Sequence, residues 1–287
     1  MSDPVVFSDS KMPPEEEYDL LVEAGKLPET NVVLPKSYLS VSQVHLFQNC
    51  SRAYYWRYIQ DVVVPPQARQ AEGSAVHKSL ERAHRDCLKS GQVTSLDIML
   101  DAHNDAWKTL KPEIEVWDED EDEERILKRG RSFLTQYHAK YLPKLKPVLI
   151  EKRFWISMGS KNVPLTGYID LVADDLTDPA FTVSTVVDYK VVSKAKSQAA
   201  IDTDIQLTVY SHAAGVPRVR FDQFVKTTAP AVKILQSVRN VKSYLWVQGM
   251  FQMIAESIGA GIFPPCDPGH WMCTEKWCGY WKRCRGK

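Results

Sequence analysis

Two aspartates sit inside runs of apolar β formers, Asp170 in "GYIDLVAD" and Asp188 in "VVDYKVV", and few features restrict a fold as strongly. An ionised carboxylate buried among such residues is costly unless a cation or a hydrogen-bond network compensates it. The runs that carry them are consecutive strand candidates. Val148 to Met158 and Val163 to Asp174 are separated by a Gly-Ser-Lys-Asn turn, and Phe181 to Val192 follows a turn at Asp178 and Pro179. This spacing predicts an antiparallel meander. Lys190 lies two residues after Asp188, so on a strand both side chains share a face. The resulting D…D-x-K cluster can hold Mg²⁺ or Mn²⁺ through oxygens, with an ammonium beside a phosphate.

Helical patterns surround the meander. Ser40 or Ser42 starts one helix, and "GSAVHKSLERAHRDCLKSG" places Val76, Leu80, Ala83 and Cys87 on one stripe, which makes Cys87 a core residue. His77 is one residue off that stripe, at the rim of a site. Further helices are expected from Ser95 to Leu110 and from Glu123 to Tyr141. After the strands, residues 201–215 read as one helix, "VRFDQFVKTTA" as a strand, and Val232 to Ile258 as one long helix. Gln206 and Tyr210 are four apart and hence on one helix face. Residues 1–36 are rich in Pro and Glu without periodicity and read as a flexible arm, leaving 37–287 as a single domain.

Acids and bases are equal at 36 each, which speaks against a nucleic-acid partner until their placement is considered. Residues 1–30 and the run "EIEVWDEDEDEE" from Glu113 to Glu124 together hold 17 acids and two bases; the rest of the chain has 19 acids against 34 bases. The body is basic. No apolar run approaches the roughly 20 residues of a membrane span, and the N-terminus lacks a signal-peptide pattern, so a cytoplasmic location is expected, in the host if a phage encodes the chain. Thiols there stay reduced, and clustered cysteines read as metal ligands.

Three of the six cysteines, Cys273, Cys278 and Cys284, fall in the tail "CTEKWCGYWKRCRGK" with C-x4-C-x5-C spacing. Thiolates so placed suit an iron-sulfur cluster or zinc. A fourth ligand is open among Cys50, Cys87, Cys266 and His270, with Cys87 disfavoured by its core stripe. Aromatic and basic residues interleave around Cys50 (Arg52, Tyr54, Tyr55, Trp56, Arg57) and in the tail (Trp277, Tyr280, Trp281, Lys282, Arg283, Arg285). Such segments pack around a cluster or grip single-stranded DNA.

In this order, "GSAVH" with His77, "GYID" with Asp170, "DYK" with Asp188 and Lys190, and "QLTVY" from Gln206 to Tyr210 resemble the RecB-like branch of the PD-(D/E)XK nuclease superfamily. Ile169 stands where the superfamily signature has proline. The resemblance implies an α/β restriction-endonuclease-like core, a central mixed sheet flanked by helices, and metal-dependent DNA cleavage. It implies that Asp170, Asp188, the Tyr189 carbonyl and His77 hold Mg²⁺ or Mn²⁺, that Lys190 assists the nucleophile or the developing charge, and that Gln206 and Tyr210 contact DNA and order the site. Members of the AddB and CRISPR-associated kinds carry one cysteine before and three after these motifs, around a 4Fe-4S cluster. That implies Cys50 as the fourth ligand, closing the domain onto the tail. The resemblance also suggests an exonuclease of single-stranded or end-resected DNA with 5′→3′ polarity, acting in recombination, repair or phage DNA processing beside a recombination or helicase partner. The rival reading is a catalytically weak Fe-S DNA-binding subunit of a helicase-nuclease complex.

Overall fold

The computed structural model describes residues 5–177 and 182–286, so the expected turn at Asp178 and Pro179 lies outside the described residues. In chain order the main elements are β1 (Val5–Ser8), α1 (Pro14–Glu23), α2 (Val41–Asn49), α3 (Ser51–Tyr54), α4 (Ala68–Ser90), α5 (Leu96–Leu110), α6 (Glu123–Lys140), β2 (Leu145–Met158), β3 (Val163–Asp175), β4 (Val183–Val192), α7 (Gln198–Asp202), α8 (Ile205–Ala214), β5 (Arg218–Val225), β6 (Ala231–Val238), α9 (Val241–Gly259) and α10 (Trp281–Cys284). The strands form a six-stranded mixed sheet in the order β1 to β6, flanked by helices in an α/β fold. Its β3–β4 and β5–β6 pairs are antiparallel, and β4 and β5 are parallel, joined through α7 and α8. Among the described residues no helix is long and apolar enough to cross a membrane.

Contacts divide the chain into two compact units. One comprises Pro65–Lys152 and Ile169–Asn240. Its core joins Val76, Leu80 and Ala83 of α4 to Phe133, Leu134 and Tyr137 of α6 and to Leu171, Val187, Tyr189 and Phe224 of the strands. The stripe on α4 is thus buried as its period demands, except at its end, where Cys87 is only partly covered because α4 stops at the left-handed cap Gly91. The acidic run is partly structural: Asp122 caps α6, Glu121 meets Arg129 at 2.9 Å, and Glu123 accepts from Trp107 Nε1 at 2.9 Å.

Two helix expectations are corrected in this unit. Residues 231–238 form β6 rather than the start of a long helix, paired with β5 through Phe224↔Val232 and Asp222↔Ile234. Val232 and Ile234, two apart, both pack on the core, which is a strand period; the helix begins only at Val241. The helix expected over 201–215 is broken at Thr203, because the Asp204 side chain accepts from Leu207 N and starts α8 afresh.

The other unit comprises the described residues up to Val64, Arg153–Tyr168 and the residues from Val241 on. The segment expected as a flexible arm carries β1, antiparallel to β2 through Phe7↔Phe154, and α1, whose Tyr18 and Leu21 bury Trp155 together with Leu27. Arg153 holds it further, reaching Glu17 at 2.5 Å and the Met12 carbonyl at 2.9 Å. Val247, Phe251, Ile254 and Ile258 form the buried face of α9 at helical spacing.

Candidate metal centre

Asp170 leaves β3 and Asp188 leaves β4, and the register Leu171↔Val187 carried one residue further points the two carboxylates toward each other. Asp188 is fully buried. One of its oxygens, Oδ1, accepts from Lys190 Nζ at 3.0 Å, and Oδ2 has no hydrogen-bond partner. Burial, opposed by Lys190 and reinforced by Asp170, pushes the Asp188 carboxyl up to about 7. Burial also acts on Lys190, but the Asp188 and Asp170 charges outweigh it and hold the ammonium above the ordinary lysine value. A buried carboxylate oxygen without a donor is what a cation satisfies.

α4 brings His77 to the same place. Its Nε2 lies 2.7 Å from the Tyr189 carbonyl, its Nδ1 3.6 Å from Asp170 Oδ2, and the Tyr189 N–H donates to that oxygen at 3.0 Å. Burial, then Lys190 against the pull of Asp170, keeps the imidazole below its usual value and so neutral, the form that ligates. An octahedral ion with ligands at about 2.1 Å sets neighbouring donors about 3 Å apart, close to the His77 to Tyr189 spacing.

Glu151 was not singled out by the sequence. Its carboxylate, His77 and Asp170 bring ligand atoms within 4.8 Å of one another, whereas Asp188 stands outside that trio and is held by Lys190. Glu151 lies in β2 with φ +46°, a left-handed backbone that interrupts the strand's alternation. Burial, with Asp170 and Glu81 nearby, pushes its carboxyl up to about 8. The only sequence signal was an acid within the apolar run "VLIEKRFW".

α8 adds Gln206 and Tyr210, joined by a bond from Gln206 Nε2 to Tyr210 Oη of 2.8 Å. Burial, then the charges of Asp188, Asp170 and Glu151, hold the Tyr210 phenol well above its ordinary value, which sets it beside the carboxylates.

In the other unit, Cys50, Cys273, Cys278 and Cys284 line one cavity, and Cys266 lines it with them. Cys266 N–H donates to Cys50 Sγ at 3.4 Å. Burial, with the Cys50 and Cys273 thiols alongside, pushes the Cys266 thiol up to about 12. Trp56, Met272 and Tyr280 cover the cavity with apolar surface, whereas Trp271 and Trp277 remain exposed. His270 is absent from the lining, and Cys87 belongs to the other unit.

The sequence profile of the PD-(D/E)XK nuclease superfamily matches residues 38–285. No curated protein sequence matches the chain. Among solved structures, an exonuclease candidate from Eubacterium rectale is 13% identical, covering 93% of this chain and 92% of its own, with a TM-score of 0.48. The protein SSO0001 is 13% identical, covering 86% of this chain and 97% of its own, with a TM-score of 0.35.

Proposed function

The chain belongs to the PD-(D/E)XK nuclease superfamily, and from that premise we propose that it is a divalent-metal-dependent DNA exonuclease. The observation that carries the reading is the buried, partnerless Asp188 Oδ2 beside the convergence of His77, the Tyr189 carbonyl, Asp170 and Glu151. These donors are oxygen with one imidazole, a set suited to Mg²⁺ or Mn²⁺. A cation held there supplies charge to a scissile phosphate and lowers the pKa of an attacking water. Asp188 keeps Lys190 charged and aimed along the same strand face, where the ammonium can offset charge building on the phosphate. Gln206 holds the Tyr210 phenol against the carboxylates and leaves its own amide half-exposed for a DNA backbone.

The preference for single strands or resected ends and the 5′→3′ polarity rest on the RecB-like motifs, and an end-labelling assay tests both. Strands labelled at either end, single and double, are incubated with Mg²⁺ or Mn²⁺ and with EDTA. Wild type should release 5′ label from single strands only with metal, and Asp188→Ala should lower the rate by about 10² or more. Equal cleavage by the variant would overturn the assignment.

We further propose that Cys50, Cys273, Cys278 and Cys284 hold a 4Fe-4S cluster as a structural staple. The thiol set and its apolar cover support this reading. A zinc ion would take the same thiolates, so metal content separates the two. Anaerobically purified protein should contain iron and sulfide, and Cys50→Ser should lose both while Cys87→Ser keeps them. Zinc in their place would refute the cluster.

A further inference from the structure

We infer that His84, the Tyr189 hydroxyl and Tyr137 are positioning residues that lock the register of α4 against β4 and so present His77 to the metal centre. The inference rests on the metal reading above and extends it to groups that reading does not use. His77 and His84 are seven residues apart, two turns of α4, and therefore share a face. Both meet the same residue at opposite ends: His77 Nε2 is 2.7 Å from the Tyr189 carbonyl, and His84 Nε2 is 2.7 Å from the Tyr189 hydroxyl. Alternation along β4 makes this possible. Asp188 and Lys190 point to one face, and the Tyr189 ring points to the other, into the core among Leu80, Tyr137 and Phe224.

The hydroxyl is pinned from three elements. His84 of α4 stacks on the ring at 6.1 Å with 14° between planes. Tyr137 of α6 places its hydroxyl 3.4 Å from that of Tyr189 and donates to Asp222 Oδ2 at 2.7 Å. Asp222 of β5 is itself clamped by Arg220 through bonds of 2.7 and 2.9 Å. All five side chains are almost wholly buried. Burial brings His84 down to about 3, so it is neutral and bonds through Nε2, while its Nδ1 has no hydrogen-bond partner.

Such a network is a poor way to gain stability, because every member is desolvated and one nitrogen stays unsatisfied. What it supplies is direction. Sliding α4 by one residue along its axis moves it about 1.5 Å, enough to break both 2.7 Å contacts at once. An apolar contact between smooth side chains would tolerate that slip, and His77 would then miss the carbonyl with which it faces the cation.

The test measures Mn²⁺ affinity by electron paramagnetic resonance on the full chain, together with kcat, KM and melting temperature. Tyr189→Phe removes one oxygen and keeps the packing; His84→Leu removes the partner; His84→Gln returns a polar group within reach. Tyr189→Phe and His84→Leu should weaken Mn²⁺ binding about tenfold and lower kcat in step, with KM for DNA unchanged, and His84→Gln should recover most of the loss. Cooperatively melting Tyr189→Phe and His84→Leu proteins that bind Mn²⁺ within twofold of wild type would overturn the inference. If wild type itself binds no Mn²⁺, the metal reading falls and this one with it. Unaltered cleavage by Asp188→Ala would instead remove the catalytic assignment and leave these affinities standing.

Discussion

A glutamate held at φ +46° within a strand stores roughly 1–3 kcal/mol of backbone strain. At Glu151 the strain accompanies a carboxylate within reach of His77 and Asp170. Glu151→Gly should therefore melt above wild type in calorimetry while binding Mn²⁺ more weakly. Two effects moving the same way would separate the strain from the site. His103 makes a second, independent prediction. It is almost fully buried and packs so closely over Gly130 that a Cβ there would lie 2.3 Å from its ring. Burial lowers His103 to about 4, well under the value near 6.5 of an unfolded chain. Between those values the unfolded state binds more protons, so stability falls as pH drops from about 6.5 to 4, by an amount on the order of 3 kcal/mol. Urea midpoints of wild type and His103→Leu should therefore cross or converge in that window; parallel curves would refute it. At this scale the pairing of Asp188 with Lys190 was legible, because a charge in an apolar strand demands a partner. Glu151 stayed hidden because its facing depends on a local backbone angle, and Glu151 and Arg153 look like ordinary polar alternation.

Elements were legible where one period held without competition. The stripe on α4 and the runs of β2, β3 and β4 were of this kind. β6 was not, because "AVKILQSV" suits either period and only pairing with β5 decides between them. The division of α7 from α8 turns on one capping side chain. Asp204 accepts from Leu207 N at 3.0 Å and also from Lys196 Nζ at 2.8 Å. Asp204→Ala should cost about 1–2 kcal/mol in urea unfolding and loosen the start of the helix that carries Gln206 and Tyr210. A change under 0.3 kcal/mol would show that the cap is dispensable. β1 and α1 escaped prediction for another reason. Their Pro and Glu content masks three anchors, Tyr18, Leu21 and Glu17, whose partners Trp155 and Arg153 lie far along the chain. Deleting residues 1–23 should uncover the β2 edge and Trp155 and shift the purified protein toward aggregation, read by light scattering.

Across the whole molecule, equal numbers of acids and bases conceal an uneven distribution along the chain, and under the proposed function its basic stretches meet the DNA backbone. Affinity for a labelled single strand should fall about tenfold or more between 50 and 200 mM salt. Insensitivity to salt would argue against backbone contacts. The two units were not legible in the sequence, since each is assembled from separate stretches of chain. One consequence concerns the order of events in synthesis. Cys50 and Cys284 line the same cavity, so its last wall leaves the ribosome only after every element from α3 to α9 has been made. Until Cys266 emerges, Cys50 waits on the nascent chain without another thiol of this cavity. On the cluster reading proposed above, iron and sulfide are therefore delivered only once Cys284 has emerged, and a cell short of them would accumulate chains with unclosed cavities.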